Sequence, residues 1–63
     1  MTKIYRVVDA SGKSHIFALW STPLGVSVSK FDPISETFKS YALYECLSLR
    51  QVKKQLETEV RYS

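Results

Sequence analysis

Residues 3–9, Lys-Ile-Tyr-Arg-Val-Val-Asp, are rich in β-branched and aromatic side chains, which predicts a strand. Asp9-Ala10-Ser11-Gly12-Lys13 follows as a tight-turn sequence, because Gly12 takes positive φ without steric cost. Ser14 to Trp20 reads as a second strand, so the pair forms a hairpin. Ser21-Thr22-Pro23-Leu24-Gly25 breaks the chain again. Val26 to Phe31 is a third strand, with Val26, Val28 and Lys30 alternating against Ser27, Ser29 and Phe31.

The stretch from Asp32 to Cys46 carries two patterns. As a strand, Phe38 to Leu43 follows the turn at Asp32-Pro33. As a helix, Asp32 is the N-cap, Pro33 takes the first helical position, and Ile34, Phe38 and Tyr41 share a face. The β-prone types Thr37, Phe38 and Tyr41 favour the strand. The last element has one reading. Ser48 and Gln51 form a capping box, and Leu47 with Val52 is spaced as a hydrophobic staple. Leu49, Val52, Leu56 and Val60 then fall on one helical face, and Glu57 with Arg61 is a favourable i,i+4 pair. The predicted helix runs from Leu49 to about Val60. The expected architecture is α+β: residues 1–63 as one small domain, a three- or four-stranded antiparallel sheet packed on one C-terminal helix.

One helix covers one sheet face. Alternation assigns Tyr5, Val7, Phe17 and Leu19 to the covered core. It leaves Ile4, Arg6, Ile16, Ala18 and Trp20 on an open face, and an exposed apolar patch containing a cation marks a contact surface. The alternative is a loop around Pro23 or Pro33 folding over that face.

Composition removes several classes of chemistry. Sixty-three residues support one modest core. The single cysteine, Cys46, rules out an internal disulfide and reads as a small buried hydrophobe. One Cys and one His fall short of the four ligands of a structural zinc site. Two glycines make no phosphate loop, and no nucleophile elbow accompanies His15, which reads as a solvated strand-end residue. Glu57 and Glu59, two apart on a helix, do not face each other. No catalytic, cofactor or metal site is expected, and the chain is read as a binding protein rather than an enzyme. No apolar run reaches the roughly 20 residues of a membrane span, and the first residues have no signal-peptide core, so the expected location is cytoplasmic.

The net charge of +3 is compatible with nucleic acid without requiring it. Arg50, Lys53 and Lys54 occupy the first half of the helix and Glu57 and Glu59 the second, against the helix dipole. Such a basic cluster either contacts phosphates or is an ordinary solvated face.

The first hairpin, Tyr5 to His15 with its Asp9-Ala10-Ser11-Gly12-Lys13-Ser14-His15 turn, and Trp20 at the end of its second strand, resemble a known family. They look like the N-terminal arm-site DNA-binding domain of conjugative-transposon integrases. The Ser48-Leu49-Arg50 opening of the helix is similar too. The resemblance covers two blocks and implies a three-stranded sheet on one helix, related to the plant ethylene-response-factor domain, with the open face in the DNA major groove. It would place Ile4, Arg6 and Trp20 on the DNA side, in a free-standing module of a phage or mobile element. The segment from Trp20 to Ser48 is longer than the family pattern and lacks its basic Gly-Lys-Arg stretch. Ala18 stands where that family can carry a larger contacting residue.

Two functions follow. The first is binding of double-stranded DNA through the sheet. Arg6 and Trp20 would lie in the contact, Lys3, Lys13, Lys30 and Lys39 would anchor phosphates, and Arg50, Lys53 and Lys54 would add helix contacts. The second is a protein-interaction module, a small inhibitor or a homodimer, with Ile4, Ile16 and Trp20 as the apolar centre of the same face.

Overall fold

The computed structural model describes residues 2–62. Four strands, β1 (Lys3–Val8), β2 (Ser14–Thr22), β3 (Gly25–Asp32) and β4 (Thr37–Glu45), precede one helix, α1 (Leu49–Arg61). The strands form one antiparallel sheet in the order β1-β2-β3-β4. This is the expected α+β architecture in its four-stranded form. The stretch with two patterns is a strand, so the sheet has one strand more than the integrase-like resemblance implies.

Each connection has a local cause. At the first turn Asp9 Oδ1 accepts from the Ser11 and Lys13 amides, both at 2.9 Å, while Gly12 sits at φ +86°. Asp9 Oδ2 meets His15 Nε2 at 2.8 Å. These bonds, the one from His15 foremost, hold the Asp9 carboxyl well below the usual carboxylate range. His15 is therefore not a solvated strand-end residue; it is half-buried and closes the hairpin. Between β2 and β3 the chain passes the β4 backbone at Gly25, whose φ is +147° and where a Cβ would lie 2.3 Å from the Tyr44 carbonyl oxygen. Between β3 and β4, Asp32 accepts from the Ile34 amide and pairs with Lys39 at 3.1 Å.

The helix starts as its sequence predicts. The Ser48 side chain accepts from the Gln51 amide and the Gln51 side chain from the Ser48 amide, completing the capping box. Val52 and Leu56 are fully buried against Val7, Phe17, Leu19, Val26 and Val28, with Tyr5, Tyr44, Leu47, Leu49 and Val60 around them. Leu47 and Val52 thus occupy one cluster, as the staple requires. Cys46, two residues before the N-cap, departs from expectation: it is exposed rather than buried, at φ 61°, where the chain turns from β4 toward α1.

A β-bulge shapes β4. Val28 pairs with Ala42 but Ser29 pairs with Ser40, which leaves Tyr41 as the extra residue. Its ring meets Phe17 edge-on at a centroid distance of 5.5 Å, on the helix side. The bulge thereby places Tyr41, Ala42 and Tyr44 on that side.

Candidate binding surfaces

The side of the sheet away from α1 is not covered by either proline loop. Ile4 is 62% exposed on it, Phe38 45% and Leu43 44%. Cross-strand register arranges this face in rows. Trp20, Ser27 and Leu43 form one row. Ile4, Ala18, Ser29 and Ser40 form the next. Arg6 with Ile16, and Phe31 with Phe38, make up the third, where the two phenyl rings pack edge-on at 5.3 Å. The middle row is low, built from Ala and Ser apart from Ile4 at the β1 edge, and lies between two ridges of larger apolar side chains. Ala18 is buried, and Trp20 and Ile16 are half-buried.

Sequence alternation placed Ile4, Arg6, Ile16, Ala18 and Trp20 on this face correctly. It missed Phe31, Phe38 and Leu43 as members. The signal for Phe31 is its alternation against Val28 and Lys30 along β3. Phe38 and Leu43 lay in the stretch with two patterns.

The basic residues fall elsewhere. Lys3 pairs with Leu19, and Lys30 pairs with both Phe17 and Lys39, so these three lysines stand on the helix side of the sheet. Lys13 lies in the first turn. Arg50, Lys53 and Lys54 are on α1, behind the sheet from Trp20. The Lys53 ammonium sits 5.3 Å from the Tyr5 ring centroid, a cation–π contact that joins helix to β1. Of the cations expected to share one contact surface, only Arg6 is on the open face. Lys3, Lys30, Lys39 and the three helix cations lie on the other side of the sheet from a flat ligand held by Arg6 and Trp20.

The acidic half of the helix also has a structural role. The Tyr5 hydroxyl donates to Glu57, and the hydroxyls of Tyr41 and Tyr44 donate to Glu59 at 3.0 and 2.8 Å. Glu57 thus serves β1 rather than Arg61; no ion pair to Arg61 accompanies it among the described residues. Burial first, then the neighbouring carboxylates, pushes the Tyr5 phenol up to about 12 and raises those of Tyr41 and Tyr44 as well.

A cleft of about 380 Å³ opens on the helix side, between the tips of the β1–β2 and β3–β4 hairpins. Lys13, His15, Lys30, Lys39, Asp32 and Tyr41 are among its walls. Among the described residues, no group of three or more His, Cys, Asp or Glu side chains is placed to hold a metal ion. No described helix is long and apolar enough to cross a membrane. Comparison of the chain with protein-family models, with curated proteins and with solved structures gives no match.

Proposed function

We propose that this protein is a protein-interaction module that works through the open sheet face, and that the occupant this face fits is a second copy of the chain. The observation that carries the reading is the make-up of the face. Its exposed surface is apolar and aromatic, with Ile4, Trp20, Phe38 and Leu43 reaching solvent around the low Ala/Ser stretch, and its charges, Arg6 and Glu45, lie on the two edge strands. An apolar and aromatic surface with charge confined to its edges has the make-up of an interface.

The charges support self-pairing. Arg6 is on edge strand β1 near the first turn, and Glu45 is at the far end of the opposite edge strand β4. Both are exposed. Tyr44 faces the helix, so Glu45 faces the open side. A two-fold axis lying in the plane of the contact, perpendicular to the line from Arg6 to Glu45, would set Arg6 of each copy against Glu45 of the other, an isologous contact. The molecule is a slab of 34 × 25 × 16 Å, so its broad face is of the order of the roughly 800 Å² per partner of a standard interface. A small chain with seven residues in its buried cluster gains most from covering such a face.

Iodide quenching of Trp20 at increasing protein concentration tests this. The reading predicts protection that grows with concentration; constant quenching over the whole range opposes it.

Duplex DNA on the same face is the second reading, favoured by the exposed Arg6 on a flat antiparallel ribbon. β-ribbons enter the major groove, and Arg is the commonest reader of guanine there. Its test is a low-salt titration with duplex DNA. Binding lost in Arg6→Ala supports it, and no binding at high micromolar protein removes it.

A further inference from the structure

The cleft between the two hairpin tips is built from segments far apart in sequence. Lys13 comes from the first turn, Lys30 from β3 and Lys39 from β4. Lys30 and Lys39 are direct cross-strand partners, an arrangement in which like charges oppose folding. Asp32 answers only one of them. It pairs with Lys39 at 3.1 Å and is further occupied by the Ile34 amide and the Ser35 hydroxyl. The Lys30 ammonium lies 5.9 Å from the Phe17 ring centroid, and among the described residues it has no carboxylate partner. Lys13 has none either. The second acidic neighbour, Asp9, is taken up by His15 and the turn amides. The cleft therefore holds an excess of positive charge with donors free on Lys13 and Lys30.

Its other wall is aromatic. Tyr41, held edge-on to Phe17 and tied to Glu59, is 40% exposed and offers a fixed ring beside the ammonium groups. The volume of about 380 Å³ lies within the roughly 300–1,000 Å³ of small-molecule sites. We propose that this cleft binds a nucleotide unit, with Lys13 and Lys30 on the phosphate and Tyr41 against the planar base. A phosphate monoester carries about −1.5 to −2 charge at neutral pH, enough to offset the opposed lysine pair where one carboxylate does not. Stacking on an aromatic ring supplies the remainder of the contact. A free mononucleotide and a single nucleic-acid strand present this same chemistry.

The test is an amide-resolved NMR titration of the full chain with adenosine monophosphate, with inorganic phosphate and with a short single-stranded oligonucleotide. The proposal expects saturable shifts centred on Lys13, Lys30 and Tyr41. Lys30→Met keeps the aliphatic stem over Phe17 and relieves the Lys30–Lys39 repulsion, so it should weaken binding at least fivefold with a thermal midpoint no lower than the parent's. Lys54→Met, on the helix away from the cleft, should leave it unchanged. A strand that binds more than tenfold tighter than the mononucleotide, with log K falling against log salt at a slope of about −2 for three neutralised phosphates, makes the strand the natural ligand. Comparable affinity for the two makes it the free nucleotide. The proposal is overturned if none of the three probes gives saturable shifts at millimolar concentration. It is equally overturned if chloride at matched ionic strength reproduces them, or if Lys30→Met binds as the parent does.

Discussion

The Tyr44 hydroxyl donates to Glu59 Oε2 across 2.8 Å, tying β4 to a helix that packs chiefly on β1 and β2. Tyr5 does the same for β1 through Glu57. Two carboxylates on one helix thus clamp the two edges of the sheet.

The clamp makes stability fall in alkali. The three phenols are held above the ordinary value of about 10, Tyr5 at about 12. The folded state therefore binds these protons more tightly than the unfolded chain does. Their contribution is complete below about pH 10 and is lost as pH rises through the folded-state values. Urea midpoints measured against pH, with tyrosinate absorbance, should show a decline beginning near pH 10. Glu59→Gln should bring part of the tyrosine titration down. Ionisation of Tyr5 and Tyr44 at the ordinary phenol value would contradict the clamp.

Leu56 is fully buried among β1, β2 and β3 side chains. Leu56→Ala should cost roughly 2–5 kcal/mol in urea melts, as core truncations do. A loss below about 0.5 kcal/mol would mean that the helix does not dock on the sheet.

The two glycines should respond differently. At Gly12 an added Cβ meets nothing within 4 Å, so Gly12→Ala should cost only the positive-φ strain, about 1–2 kcal/mol. At Gly25 the Cβ would collide with the Tyr44 backbone at 2.3 Å, in addition to the φ of +147°. Gly25→Ala should cost about 3 kcal/mol or more, since backbone strain and a steric clash combine. Equal thermal shifts for the two variants would contradict the close passage of β3 against β4.

Much of this fold was legible because local signals agreed. The capping box at Ser48 and Gln51, the apolar face through Val52 and Leu56, and the Gly12 turn each act within a few residues. The open face followed from alternation in β1 and β2. What escaped depends on contacts distant in sequence. The tyrosine–glutamate bonds join residues 15 to 52 positions apart, and nothing local marks Glu57 or Glu59 as acceptors. The bulge that turns Tyr41 toward the helix arises from β3–β4 pairing and has no Gly or Pro signal. The basic residues looked like one population along the chain. Register separates them, because a lysine paired with Leu19 or Phe17 stands on the helix side.

The central claim is that the open face pairs with a second copy, Arg6 against Glu45. Sedimentation equilibrium of the full chain with charge exchange tests it most directly. The parent should reach twice the monomer mass as concentration rises. Arg6→Glu should shift the equilibrium toward monomer, and Arg6→Glu combined with Glu45→Arg should restore the dimer. Trp20→Ala should abolish it, since aromatic anchors dominate such interfaces. A parent that remains monomeric up to millimolar concentration, or a dimer indifferent to Arg6→Glu and Trp20→Ala, would contradict the account.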